Sequence, residues 1–206
     1  LLSDCFNPIL DLAFDALLAL KRNHTLKIIK TWLNGWVTSH RMHEEIQLDC
    51  LLGCEGGIDS LDHYVMCPNM FGIIKYFQED TSDNPLVRMG LKQSDNNSLT
   101  TLACIYSAYH ALKARVRAGK IQVHEKRITS KAKTWSVFAE AFAAEAGECG
   151  IQCPAFSLSK LIQFLCTGRR DCHPLNDQIN IDSFFKYEQT DLRDMDDRCD
   201  VPKPPV

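Results

Sequence analysis

No stretch of this sequence is apolar over the roughly 20 residues that a membrane-spanning helix requires. The most apolar stretch, residues 9–20, is interrupted by Asp11 and Asp15. The start of the chain also lacks the basic segment, apolar core and small-residue cleavage site of a secretory leader. Positive charge is not in excess either, because the formal net charge is -3. These absences argue against a membrane-spanning helix and a uniformly basic nucleic-acid-binding protein.

The composition is that of an ordinary globular protein, with 45% hydrophobic and 24% charged residues in a chain of 206. Ten cysteines are present, but without a secretory leader a disulfide framework is disfavoured. Cysteines grouped with histidine instead indicate a metal site in a reducing compartment. The first residue is Leu1 rather than Met, and we therefore expect the chain to be a fragment of a longer protein.

A compact set of cysteine and histidine residues lies within positions 50–67. Cys50 and Cys54 are separated by three residues that include a glycine, which favours a tight turn. His63 and Cys67 are four positions apart, so on a helix they share a face. Three thiolates and one imidazole suit tetrahedral zinc, and four protein ligands leave no open position for water. The spacing therefore predicts a structural zinc site at these four residues.

Two alternatives to this site stay open from the sequence. The four side chains could be buried without any metal, although so many ligand-type residues around a glycine-rich turn favour binding. His40 and His43 lie just upstream and could compete as ligands. We expect these two histidines to lie on an exposed helix end instead.

Apolar residues recur at helical spacing along most of the chain, which predicts a mainly α fold. We expect a small zinc-stabilised N-terminal segment, followed by a helical block and a poorly ordered acidic tail. The predicted divisions are 1–78 for the zinc segment, 79–97 for a linker, 98–170 for the helical block and 171–206 for the acidic, proline-containing tail. Caps, glycines and periodicity predict helices from about residue 7 to 22, 25 to 39, 70 to 78, 98 to 118, 130 to 146 and 158 to 166.

The residues around the predicted zinc site resemble a known protein family. The runs Lys30-Thr-Trp-Leu-Asn-Gly-Trp36 and Thr38-Ser-His-Arg-Met42 precede the cysteine pair, and Asp59-Ser-Leu-Asp-His63 and Cys67-Pro68 follow it. This order is similar to the zinc-binding end of non-LTR retrotransposon reverse transcriptases, where Trp-rich helical sequence after the polymerase thumb leads into a Cys/His segment. The resemblance covers about residues 25–75. It implies an origin in reverse transcriptase and a nucleic-acid-binding role, and we expect an intracellular, nuclear protein.

The resemblance does not imply polymerase activity in this chain. The parent polyprotein would be an RNA-directed DNA polymerase, but its paired-aspartate motif with aromatic and apolar flanks is absent. The only Asp pair, Asp196-Asp197, lies in the polar tail. No convincing Pro-Asp…Asp-x-Lys nuclease pattern is present either. We therefore expect no enzymatic activity from this chain by itself.

A local basic patch follows in the second half of the chain. Residues 113–133 contain eight basic residues and one acid, Glu125. The basic residues are Lys113, Arg115, Arg117, Lys120, Lys126, Arg127, Lys131 and Lys133. Together with Arg41, they could contact phosphates in a salt-dependent way. The alternative is a solvated helix end and loop.

A second metal site is conceivable further along the chain. Cys149, Cys153, Cys166 and Cys172 could supply its ligands. However, Cys166 falls on the apolar face of a predicted short helix, where a cysteine usually packs.

Two further patterns have competing explanations. Trp32 and Trp36 share a face of a predicted helix and could stack on bases, although aromatic residues at this spacing more often belong to a core. Cys104 and His110 could be drawn as a nucleophile and base, but nothing in the sequence orients them with a third group.

The sequence thus favours one function over two others. The favoured hypothesis is a non-catalytic, zinc-binding module derived from a reverse transcriptase that contacts RNA or DNA. The alternative is a zinc-stabilised structural or protein-interaction domain with no nucleic-acid role. A third hypothesis is an enzyme fragment that works only when joined to an upstream polymerase domain.

Overall fold

The protein is described from a computed structural model, over residues 14–78, 82–91 and 96–167. All of these residues fall within one compact unit, Leu1–Arg170. The predicted acidic tail, residues 171–206, lies outside the described residues.

Helices dominate the described part of the chain, which confirms the mainly α prediction. The helices are α1 Arg22–Trp32, α2 Leu61–Met66, α3 Pro68–Phe77, α4 Pro85–Arg88, α5 Asn96–Arg117, α6 Lys131–Glu148 and α7 Leu158–Thr167. Residues 14–18 are helical as well. Two short antiparallel strands, β1 Val123–His124 and β2 Arg127–Ile128, form a hairpin between α5 and α6.

Side-chain caps fix where several helices begin. The Ser130 side chain accepts the Lys133 amide and caps α6, at the position where the sequence predicted this helix to begin. The Ser60 hydroxyl caps α2 in the same way by accepting the amide of His63. Cys67 ends α2 and begins α3, and its sulfur accepts the amide of Met70. Helix capping therefore fixes the positions of two predicted metal ligands.

The second predicted helix ends earlier than expected. α1 stops at Trp32, whereas the sequence predicted a helix to residue 39. Asn34 takes a left-handed φ of 52°, and the Gly35 amide donates to the Lys30 carbonyl. A Cβ on Gly35 would lie 2.7 Å from that carbonyl oxygen, so the close approach requires glycine.

The early helix end changes the role of the tryptophans. Trp32 and Trp36 do not share a helical face, so that prediction was wrong. Trp36 is only 1% exposed, and its ring stacks on Tyr109 at 4.6 Å and on Tyr64 at 5.8 Å between centroids. Its indole N–H donates to the Thr31 hydroxyl over 3.0 Å. Trp36 is therefore a core residue and is not available to stack on bases.

The hairpin was missed because two-residue strands leave no alternation to detect in a sequence. Glu125 lies in the turn of the hairpin and adopts a left-handed φ of 54°. Such a turn usually carries glycine or asparagine, so Glu125 gives no turn signal in the sequence. The hairpin lies against the cysteine-containing loop, since the Asp49 amide donates to the Lys126 carbonyl over 2.9 Å.

Helix α5 is the central element of the core. It packs against both α1 and α6. On the far side of α6, the ring of Phe142 stacks on that of Phe77 from α3 at 5.4 Å. Helices from both halves of the sequence also hold the cysteine-containing loop, since the Leu52 carbonyl accepts the Asn69 side chain of α3 and the Trp135 indole of α6.

A buried carboxylate, that of Asp59, connects the loop to α5. Oδ1 accepts the hydroxyls of Tyr64 at 2.9 Å and Tyr109 at 3.0 Å. Oδ2 accepts the Ser39 amide at 2.7 Å and the Lys113 ammonium at 2.8 Å. Burial, and then the negative charge of Asp59, raises the pKa of Tyr109, so the phenol keeps the proton that it donates. The protein therefore supplies four hydrogen-bond donors to the Asp59 carboxylate, two for each oxygen.

We expect Asp59→Ala to lower the free energy of unfolding by about 3–5 kcal/mol, because it removes the closest counter-charge of a buried lysine. Urea denaturation with zinc present would measure this loss. Asp49→Ala is the matched control, since that carboxylate pairs with Arg127, whose side chain is 85% exposed. The control should cost less than about 1 kcal/mol. Equal losses in the two variants would contradict a structural role for the Asp59 network.

Candidate metal centre

Four predicted ligands come together at one point. Cys50, Cys54, His63 and Cys67 bring their ligand atoms within 4.8 Å of one another. The sulfur of Cys67 lies 3.8 Å from that of Cys50 and 3.4 Å from that of Cys54. A tetrahedral zinc with Zn–S bonds of about 2.3 Å holds its sulfurs about 3.8 Å apart. The spacing of this Cys/His cluster therefore matches a metal site.

Backbone hydrogen bonds shape the loop that carries the first two ligands. The Cys50 amide donates to the Gly57 carbonyl over 2.8 Å, and the Gly53 amide donates to the Cys50 carbonyl over 2.9 Å. Gly53 takes a left-handed φ of 74°, which closes the turn between the two cysteines. The Leu52 amide lies 3.4 Å from the Cys50 sulfur. Hydrogen bonds of this kind orient a ligand toward its metal.

The imidazole of His63 carries a buried nitrogen, Nε2, that has no hydrogen-bond partner among the described residues. A buried polar atom without a partner costs about 1–3 kcal/mol. Bonding to a metal would satisfy this atom, which is an independent indication that the site is built for an ion.

Glycine makes room for this imidazole. A Cβ on Gly57 would lie 2.4 Å from Cε1 of His63 and 2.6 Å from its Nε2. Gly57 has no left-handed φ, so its role here is steric. From the sequence, this glycine is only one of several in a glycine-rich turn, and its contact with the ligand gives no local signal.

The side chains of the cluster shift one another's proton affinities. Contacts with the sulfurs of Cys50 and then Cys54 raise the pKa of His63 to about 10. Contacts with Cys50 and then Cys67 lower the pKa of Cys54 well below its usual range. The same kind of contacts, with Cys50 and Cys54, raise the pKa of Cys67. The cluster thus favours a thiolate beside an imidazolium, and a divalent cation would take the place of the protons.

The two upstream histidines do not belong to this cluster. His40 and His43 are both exposed, as predicted. They lie in turns rather than on a helix end, because α1 has already ended at Trp32.

The predicted phosphate-contacting residues divide into one buried lysine and a set of exposed side chains. Lys113 is only 1% exposed and pairs with Asp59 at 2.8 Å and Glu44 at 3.2 Å. It is therefore part of the core and is removed from the predicted contact surface. The exposed members are Arg41, Arg115, Arg117, Lys120, Lys126, Arg127, Lys131 and Lys133.

Some of these exposed residues lie directly beside the Cys/His cluster. The hairpin carries Lys126 and Arg127, and the first turn of α6 carries Lys131 and Lys133. The side chain of Lys131 covers the cysteine loop so closely that a Cβ on Gly53 would lie 2.7 Å from its Cγ. We call Lys126, Arg127, Lys131 and Lys133 the basic face.

The structure places only some members of the two constellations that the sequence analysis considered and disfavoured. The Cys149 sulfur approaches Cys104 rather than Cys153, while the Cys166 side chain and Cys172 lie outside the described part. Cys104 therefore contacts another thiol, whereas the His110 ring packs on that of Tyr106 at 4.1 Å between centroids.

Comparisons with known proteins return no relative. No family model, no curated protein and no solved structure matches the chain. Within the described ranges, no helix combines the length and apolar character needed to cross a membrane.

We expect Gly57→Ala to weaken metal binding by roughly 10–100-fold, the usual effect of disturbing a ligand's support. The added methyl group would displace the His63 imidazole. Competition against a chromophoric chelator would measure the affinity. Gly147→Ala is the control, since a Cβ there meets no atom within 4 Å. Unchanged affinity in Gly57→Ala would argue against His63 as a ligand.

Proposed function

We propose that the chain is a non-catalytic zinc-binding module that contacts RNA or DNA. The observation that carries the proposal is the convergence of Cys50, Cys54, His63 and Cys67 on a volume that fits one ion. Its origin in a non-LTR retrotransposon reverse transcriptase, and a nuclear location, belong to the same proposal.

The donor atoms favour zinc over other common metals. Three sulfurs and one imidazole nitrogen are soft or borderline ligands, whereas magnesium and calcium prefer carboxylate and carbonyl oxygens. Four protein ligands complete a tetrahedron, so no position is left for a reactive water. The proposed zinc therefore stabilises the loop and takes no part in a reaction.

The position of the basic face supports a nucleic-acid contact. Its residues project from a hairpin and a helix start that touch the metal loop, through the Asp49–Lys126 backbone bond and the Lys131 side chain. A zinc-stabilised loop would hold these cations in place before binding, which lowers the entropic cost of association. Arg127 pairs with Asp49 at 3.0 Å, yet remains 85% exposed and able to exchange this partner for a phosphate.

The resemblance to reverse transcriptases supports the proposed origin by the order of its motifs. The Trp-rich run, the cysteine pair, the Asp59-to-His63 run and Cys67-Pro68 all belong to the packed region around the cluster. Trp36 stacks on Tyr64, Asp59 accepts the Tyr64 hydroxyl, and Pro68 starts α3 directly after the Cys67 ligand. The residues that carry the resemblance thus contribute to the packing around the Cys/His cluster.

A competing function, a zinc-stabilised protein-interaction domain, has one observation in its favour. Large apolar side chains are exposed near the metal loop: Ile46 at 55%, Ile58 at 44% and Met66 at 52%. Such a surface would bind an apolar partner with little dependence on salt. Phosphate binding instead weakens steeply as salt rises.

We expect the chain to bind a labelled single-stranded RNA or DNA oligonucleotide with a strong salt dependence. Replacing the four residues of the basic face by Gln should reduce the slope of log K against log salt by about 3, since each lost phosphate contact contributes about 0.7–0.9. Fluorescence anisotropy over a salt series would measure this slope.

Two controls separate the basic face from other charges and from stability. Arg22→Gln with Lys160→Gln removes exposed cations on α1 and α7 and should leave the slope unchanged. Lys113→Met should reduce stability, because that lysine is buried, without changing the slope. No binding at low salt, or equal slopes for all variants, would contradict the nucleic-acid proposal.

A further inference from the structure

A second group of metal-ligating side chains lies where α1, α5 and α6 meet. His24 comes from α1 and is 5% exposed, Glu145 lies in the last turn of α6, and Cys149 caps the end of α6. The thiol of Cys104, from the middle of α5, is fully buried next to that of Cys149. We call His24, Glu145 and Cys149 the helix-end cluster. None of them belongs to the Cys/His cluster.

The distances within the helix-end cluster match those of a tetrahedral metal site. His24 Nε2 lies 3.3 Å from the Cys149 sulfur and 3.3 Å from Glu145 Oε1. Zinc bond lengths of about 2.3 Å to sulfur and about 2.0–2.1 Å to nitrogen and oxygen place such pairs about 3.5 Å and about 3.3 Å apart. The three ligand atoms all lie within 4.8 Å of one another.

Helix geometry explains how two of these ligands face the same point. Glu145 and Cys149 are four residues apart, and the Cys149 amide donates to the Glu145 carbonyl over 3.1 Å. Residues at this spacing lie on one face of a helix, one turn apart. The Cys104 sulfur lies 4.0 Å from that of Cys149, but it is not within 4.8 Å of both other ligand atoms, so Cys104 is a neighbour of the cluster rather than a member.

We propose that His24, Glu145 and Cys149 bind a second zinc ion, with the fourth position left to water. The charges balance in this arrangement. One thiolate and one carboxylate carry two negative charges, which match the two positive charges of zinc. Lys27 pairs with Glu145 Oε1, the same oxygen that lies 3.3 Å from His24 Nε2, so the ion would displace the lysine to the other carboxylate oxygen.

This second zinc would have a different structural role from the first. The Cys/His cluster closes one loop together with the helix that follows it. The helix-end cluster would connect two helices that are distant in the sequence, at residues 24 and 145–149. The ion would hold α1 against α6, in addition to the Lys27–Glu145 ion pair and to the apolar packing of α1 on α5 around Ile28, Leu99 and Leu102.

Metal content of the intact chain tests the stoichiometry. Native mass spectrometry of zinc-reconstituted protein should give two ions for the wild type and one for Cys149→Ser. Cys153→Ser is the matched control, since Cys153 is half-buried and outside both clusters, and it should retain two. Two ions in Cys149→Ser, or one ion in the wild type, would overturn the proposal.

A measurement on the wild type avoids any effect of the substitution on folding. Alkylation of Cys149, followed by peptide mass spectrometry, should slow at least tenfold when zinc is added and recover with a chelator. Cys153 should react at the same rate in both conditions. Zinc-independent alkylation of Cys149, or a Cys104–Cys149 disulfide in the zinc-loaded protein, would overturn the site.

Discussion

The buried carboxylate of Asp59 is the interaction on which the rest of the structure depends. It lies in the segment between the two pairs of metal ligands and accepts four donors, from Ser39, Tyr64, Tyr109 and Lys113. These donors belong to the turn before the metal loop, to α2 and to α5. One fully desolvated charge therefore fixes the loop on the helical core. A buried charge of this kind is tolerated only when all of its partners are in place.

The Cys/His cluster and Asp59 stabilise the loop in different ways. The side chains of the cluster define the loop's internal geometry, through sulfur–sulfur distances of 3.4–3.8 Å and an imidazole that fits only against Gly57. Asp59 instead defines where the loop sits on α5. An ion would supply folding free energy to a segment whose short helices cannot form alone. The Cys/His cluster and Asp59 together also determine where the basic face lies, because the hairpin and helix start that carry it contact this loop.

Sequence reasoning found the features that depend on local spacing. The four ligands of the Cys/His cluster, the Ser130 cap and the mainly α fold all follow from residues close together in the chain. It failed where contacts between residues that are distant in the sequence determine the burial or the position of a side chain. The sequence predicted that Lys113 is a surface cation, but Lys113 is buried, because it pairs with the carboxylate of Asp59, 54 residues away. The sequence predicted that Trp36 lies on the same helix as Trp32, but the helix ends at Trp32 and the chain turns at Gly35. The proximity of His24 to Cys149 could not be found from the sequence, since 125 residues separate them.

The central claim is that Cys50, Cys54, His63 and Cys67 bind zinc together. Zinc X-ray absorption on the Cys149→Ser variant tests it most directly, because that variant leaves the Cys/His cluster intact. The account predicts a shell of three sulfurs at about 2.3 Å and one nitrogen at about 2.0–2.1 Å. A shell of nitrogen and oxygen alone, or a purified chain that binds no zinc, would contradict it.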